Sequence, residues 1–226
     1  FKSSLEILLE LYPNKPWNWR WLSINQNISW DFIEKNRNKP WNWDCVSCNP
    51  NVTMDIIKNN RNIQWKWRNI SKNSSITCDT IQNNPNEQWN WDSISENPNL
   101  TWDFIEDHWD KDWNWFSLSR HPVTTWDIVQ NNPDKPWSWY DLSMNPNITM
   151  ETIQNNPEED WDWESIAGNP NITVEMIQNN IDEGDLNWYA LSKNPKIPRE
   201  LVKNNPDRRW YWDELTKNPN ITLDII

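Results

Sequence analysis

The chain repeats itself every 24 residues, and that period limits its possible folds more than any other feature. Aligned on the first Trp of a W-x-W pair, the units begin at Trp17, Trp41, Trp65, Trp89, Trp113, Trp137 and Trp161, then at Leu186 in the Trp slot, then at Trp210. The one spacing of 25 falls between Trp161 and Leu186, in the stretch Ile181 to Asp185, where a loop absorbs an extra residue at little cost. Residues 1–226 therefore read as one continuous array: a partial repeat over 1–16, repeats starting near 17, 41, 65, 89, 113, 137, 161, 186 and 210, and a truncated last unit. A single repeat this short cannot bury its own apolar face, so neighbours must stack.

Each unit follows the pattern W-N-W-x-x-L-S-x-N-P-N-I-T-x-D-x-I-x-N-N-P-x-x-P and reads as two short helices. The residue between the two Trp is Asn, Ser or Asp in most units (Asn18, Asn42, Asn90, Asn114, Ser138, Asp162, Asn187), which is N-cap chemistry. Trp and Leu or Ile three apart, as in Trp91 and Ile94, then share one helix face. The first helix is expected to stop at Asn-Pro, the Asn serving as a left-handed C-terminal cap and the proline forbidding continuation. The second helix opens on Ser29, Thr53, Thr77, Thr101, Thr125, Thr149, Thr173 or Thr222, with Pro198 as the exception. Two residues on stands an acid, from Asp31 and Asp55 through Glu175 and Glu200 to Asp224, which answers the positive end of the helix dipole. An Ile or Val, such as Ile33, Ile57, Val129, Ile177 or Ile226, supplies that helix's buried face.

Helices of about two turns do not persist alone in water, so packing must supply the stability. Of the 22 Trp, eight fill the first column and nine the second, which makes these columns the core. Each Trp buries about 150–250 Å², worth roughly 4–6 kcal/mol before entropy is charged. The expected fold is all-α: an α-solenoid of about nine 24-residue repeats.

The net charge of −12 argues against binding to a phosphate backbone, which needs clustered Lys and Arg. No apolar run reaches the ~18 residues of a membrane span, and Leu5 to Leu11 carries two Glu, unlike a signal peptide. Three Cys do not make a disulfide framework, so a reducing, cytoplasm-like compartment rather than secretion is expected. Abundant Asn, Ile and Lys with only 2 Gly fit an AT-rich coding sequence, whereas Trp and Pro need GC-containing codons and must be retained for a purpose.

A 24-residue period in which both short helices end at Asn-Pro is similar to leucine-rich-variant α-solenoids. There α and 3₁₀ helices alternate, which implies a first helix that is partly 3₁₀. The phrase DIVQNNPDKPWSWYDLSMNPNIT, Asp127 to Thr149, resembles Trp-rich tandem-repeat proteins of unassigned function from giant DNA viruses of protists. That resemblance spans the chain and implies a viral origin, in host cytoplasm or virion. It brings no catalytic motif and no ligand. Ser4 to Pro16 match a second helix without its first, and the chain stops within a unit at Ile226, which points to a piece of a longer polypeptide or to self-association through the chain ends.

Candidate chemistry is sparse. Cys45 and Cys48 form a lone CxxC at positions that vary between units, and Cys78 reads as a small apolar filler. His108 and His121 each replace a column Asn and are expected to act as caps, not as metal ligands with Asp107, Asp110 and Asp112. Most of the eight N-x-S/T sequons, among them Asn51, Asn99, Asn147, Asn171 and Asn220, arise from the N-I-T turn of the repeat. No enzyme, cofactor or metal is expected.

The informative positions vary while the frame stays fixed. On the first helix they form a candidate protein-binding strip: Arg20, Trp21, Arg68, Lys72, Phe116, Arg120, Tyr140, Met144, Tyr189 and Lys193. Aromatic, Met and Arg side chains are typical of interface hot spots. A candidate acidic ridge, Glu158, Glu159 and Asp160 with Asp182, Glu183 and Asp185, would suit a basic partner segment or weak Ca²⁺ binding, with a solvated loop the plainer reading. Five Trp lie outside the two columns (Trp21, Trp30, Trp102, Trp109, Trp126). Three of them share one slot in the second helix, which favours core filling over glycan stacking. The leading expectation is a non-enzymatic repeat scaffold that binds another protein. A structural assembly component and a glycan-binding module are the alternatives.

Overall fold

Among the described residues the repeats lay down the same pair of short helices, because similar caps recur at most of the same places. A computed structural model describes residues 2–169, 171 and 188–221. Among them all seventeen helices are α, of four to eight residues, and there is no strand. The first helix of each unit is α too, where the resemblance implied part 3₁₀ character. The chain divides into two compact units, Phe1–Asn114 and Trp115–Ile226. Thr173, Glu175, Ile177, Leu186, Asn187, Thr222, Asp224 and Ile226 lie outside the described residues, as does the loop 181–185.

The caps follow the sequence. Asn18, Asn42, Asn90, Ser138 and Asp162 accept a hydrogen bond from the backbone N–H three residues on and open the first helix. Ser29, Thr53, Thr77, Thr101, Thr125 and Thr149 do the same for the second. Lys66, Pro198 and Tyr211 stand at cap positions without a side-chain cap bond. The partial repeat forms one helix, Ser4–Leu11, with Ser3 and Glu6 in a capping box.

The Asn of Asn-Pro does something other than the left-handed cap expected of it. Asn25, the first of the column, is extended, with φ −71° and ψ 124°. From Asn49 on, the column amides reach back to the preceding repeat. Asn49 Nδ2 donates to Ser23 O at 3.0 Å and Asn25 O at 3.1 Å, and its Oδ1 accepts from Asn51 N at 2.9 Å. Asn73 repeats this on Ser47 O and Asn49 O. In the second unit Asn145 bonds Ser119 O and His121 O, and Asn169 bonds Ser143 O and Asn145 O. One buried side chain thus closes its own Asx turn and satisfies two carbonyls of its neighbour, which an apolar residue cannot do. The proline between the two bonded Asn has no N–H to leave unpaired.

A serine column runs alongside. Ser23 Oγ donates to Trp19 O at 2.7 Å and accepts from Asn42 N, the cap residue of the next repeat, at 3.0 Å. Ser119 and Ser192 link Ser138 N and Tyr211 N in the same way.

The paired Trp close the remaining space between repeats. The first indole N–H donates to the carbonyl five residues back, as in Trp41 to Asn36 at 2.8 Å and Trp161 to Asn156 at 2.7 Å. Its ring meets the second Trp of the preceding repeat edge to face: Trp19–Trp41 at 5.0 Å and Trp43–Trp65 at 6.1 Å in the first unit, Trp115–Trp137 and Trp139–Trp161 at 5.1 Å in the second. Edge-to-face contact is the geometry the ring quadrupole favours. Buried Ile, Leu and Val complete the core, including Ile33, Ile57, Ile94, Leu142 and Ile166.

Candidate functional site

The hydrogen-bonded frame leaves one first-helix face free to vary, and its chemistry differs between the units. In residues 1–114 the place just after the second Trp holds Arg20, Asp44, Arg68 and Asp92. These side chains answer one another and their neighbours. Lys66 Nζ lies 3.8 Å from Asp44, Arg68 lies 3.9 Å from Asp92, and Lys72 Nζ lies 2.9 Å from Glu96. Trp21 stands on this face 70% exposed.

In residues 115–226 the same place holds Phe116, Tyr140, Glu164, Tyr189 and Asp213, of which the three rings are exposed by 70%, 55% and 43%. Their helices, Trp115–Arg120, Trp139–Ser143 and Trp188–Lys193, are held by the hydrogen-bond ladder of the Asn and Ser columns, and the rings stand on the exposed side. Arg120 lies 6.0 Å from the Tyr140 ring centroid and 3.1 Å from Asp141. Lys193 Nζ lies 5.3 Å from the Tyr189 ring centroid, and Tyr211 meets Tyr189 edge to face at 5.0 Å.

Four residues of the sequence-derived strip, Tyr140, Met144, Tyr189 and Lys193, come together around one half-open groove of about 460 Å³. Arg20, Trp21, Arg68 and Lys72 belong to the other unit. Gly168 was missed by the sequence reading. It holds the place that Lys72, Glu96, Arg120, Met144 and Lys193 hold in other repeats. A Cβ there would meet Ser165 O at 3.4 Å and Met144 Cε at 3.9 Å, ordinary contacts, so the missing side chain leaves room without being demanded by the backbone. The signal was present, since this is one of only 2 Gly in the chain.

Of the acidic ridge, Glu158 and Asp160 are exposed and Glu159 is half-buried, whereas Asp182, Glu183 and Asp185 lie outside the described residues. Trp30 is buried and packs on Trp65 at 5.8 Å, and Trp126 packs on Trp161 at 5.3 Å, so this slot fills core. Trp102 meets Trp109 at 5.6 Å and donates to Glu106 at 2.8 Å.

Cys45, Cys48 and Cys78 are free and half-buried, and burial pushes the Cys48 thiol up, away from the reactive thiolate. His108 Nδ1 lies 2.8 Å from Phe104 O, where the column Asn donates, and His121 Nδ1 accepts from Val123 N at 3.0 Å, where an Asn Oδ1 would. Both histidines therefore do an asparagine's work. Among the described residues no three His, Cys, Asp or Glu side chains converge as a metal site would require, and no helix is long and apolar enough to cross a membrane. No family model, no curated protein and no solved structure matches the chain.

Proposed function

We propose that the chain is a non-enzymatic repeat scaffold that binds another protein through the aromatic first-helix face of residues 115–226. The observation that carries this reading is the exposure of Phe116, Tyr140 and Tyr189 at a place where the same frame accepts Arg or Asp. Nothing in the packing requires rings there. Exposed aromatics flanked by Arg120, Met144 and Lys193 match the composition of binding hot spots. The test is site-specific photo-crosslinking in a native lysate, with the photoreactive residue at Phe116 or Tyr140 and, as controls, at Asp44 or Arg68. The same partner band is expected from the first pair and not from the second. Identical bands from all four positions would refute the reading.

A second reading, glycan binding, has one observation in its favour. Trp126, Trp137 and Trp139 line a hollow of about 410 Å³ together with Gln130 and Glu159, and indole faces beside amide and carboxylate groups suit a sugar ring. A glycan panel should then shift the intrinsic fluorescence of the chain, and Trp126→Ala should abolish the shift. A panel without any shift removes this reading.

A further inference from the structure

We infer that the junction between the repeats at 161 and 186 is a joint built into the fold, at which residues 188–221 open away from residues 115–169 as one block. The other junctions serve as internal controls. At seven of them a Ser hydroxyl accepts the backbone N–H that lies between the two Trp of the next repeat. This bond runs from Ser23 and Asn42 at 3.0 Å, through Ser143 and Asp162 at 2.9 Å, to Ser192 and Tyr211 at 3.0 Å. At the same seven, the second Trp of one repeat meets the first Trp of the next edge to face, with ring centroids 4.9–6.1 Å apart.

One junction lacks both links. Ala167 stands in the Ser column and Leu186 in the Trp column. A methyl group accepts no hydrogen bond, and leucine brings neither an indole N–H nor a ring for Trp163 to meet. The third link is longer there. The Asn amide bond to the carbonyl 26 residues back measures 2.8–3.0 Å at Asn49, Asn73, Asn97, Asn145 and Asn169, whereas Asn194 reaches the matching Ala167 O at 3.2 Å.

Buried apolar contact still crosses this junction, since Ile166 and Ala167 on one side and Leu191 and Ile197 on the other belong to one cluster. Such contact is non-directional and survives small rotations that break a hydrogen bond between fixed atoms. On either side the full set of links resumes, with Trp139–Trp161 at 5.1 Å before it and Trp188–Trp210 at 4.9 Å after it. In a stack held by nearest-neighbour contacts, opening begins at the weakest interface. The aromatic groove lies across that interface: Tyr140, Met144 and Gly168 line it from one side, Tyr189 and Lys193 from the other. Opening the joint therefore changes the spacing of the rings and the width of the groove while the repeats that carry them stay folded.

Hydrogen exchange of the whole chain, read by mass spectrometry, tests the joint. Peptides from 188–221 are expected to share one protection level, at least tenfold below that of peptides from 137–169, with a step between the two groups. Fraying from the last residue inward would give a gradient instead. Ala167→Ser with Leu186→Trp restores both links and should raise protection over 188–221 at least tenfold, while 137–169 keeps that of the parent. Ala167→Ser alone adds only the hydroxyl that the column carries elsewhere, and should raise it at least threefold, so the test stays decisive if the larger ring does not fit. A smooth gradient from 137 to 221 in the parent, or protection over 188–221 that Ala167→Ser leaves unchanged, overturns the inference.

Discussion

Residues 1–114 and 115–226 are built on one frame and wear different faces. In both, Asn amides, Ser hydroxyls and edge-to-face Trp pairs tie repeats to the ones before them with nearly the same distances, although Ala167 and Leu186 interrupt the Ser and Trp columns between the repeats at 161 and 186. The place after the second Trp belongs to none of these links. In the first unit it carries Arg20, Asp44, Arg68 and Asp92, of which Arg68 and Asp92 pair; in the second it carries Phe116, Tyr140 and Tyr189, whose rings face solvent, alongside the acids Glu164 and Asp213. A frame held by buried side chain-to-backbone bonds leaves its surface free to change, and the surface is where the halves part company.

If the frame is shared, breaking it must cost the same in both halves. Trp41→Ala and Trp161→Ala each remove a buried ring, its edge-to-face partner and an indole hydrogen bond. Each should lose about 3–5 kcal/mol, the largest effect foreseen here. Asn73→Ala and Asn145→Ala strand buried carbonyls of the preceding repeat and should each cost about 1–3 kcal/mol. Urea titrations of the four variants check this. Unequal losses within either matched pair would show that the two frames are not equivalent.

The ladder also marks where sequence reasoning stopped. The period, the helix pairs, the Thr and Asn N-caps and the Trp core could be read directly, because each rests on local pattern or on composition. The Asn of Asn-Pro was read locally as well, as a cap, and that missed its partners. Asn49 bonds carbonyls 24 and 26 residues earlier, a relation no local window contains. A hint was available. A cap residue is exchangeable for other cap residues, whereas this column holds Asn or its mimic His121 in every repeat. The groove escaped for the opposite reason, since it depends on a residue that is absent rather than present. Variable positions identified Tyr140, Met144, Tyr189 and Lys193, but only the stacking of three repeats made Gly168 the gap among them.

Acid should separate the halves in a smaller way. Glu6 is buried, which alone would raise its pKa, but hydrogen bonds from Ser29 and Ser3 and the nearby Lys2 charge outweigh that and hold it below the ordinary carboxylate range. Glu87 is likewise held down, first by its hydrogen bonds from Arg61. Both lie in residues 1–114. A carboxylate with a lowered folded pKa contributes stability above its unfolded value, about 4.3, and that contribution is lost as pH falls through the folded value. Hydrogen exchange at pH 5 and pH 3 should therefore show protection lost first around Ser29 and Arg61. In Glu6→Gln the loss at Ser29 should already be present at pH 5. A pH-independent pattern at Ser29 in the parent chain would contradict the assigned role of Glu6.

The smallest stability effect carries the sharpest test of the comparison. Arg68→Tyr with Asp92→Tyr would give the first unit two rings on adjacent repeats, as Phe116 and Tyr140 stand in the second. The Arg68–Asp92 pair is exposed and 3.9 Å apart and contributes little, but Asp92 also accepts a hydrogen bond from Asn114 Nδ2, so the double variant should lose about 1 kcal/mol. If exposed rings on this frame are enough to bind, the double variant should gain crosslinks to the partner captured from Phe116. If the groove over Gly168 is also needed, it should gain none, because Glu96 and Lys72 fill the corresponding place. A stable variant without new crosslinks therefore assigns specificity to the gap at Gly168 rather than to the rings alone.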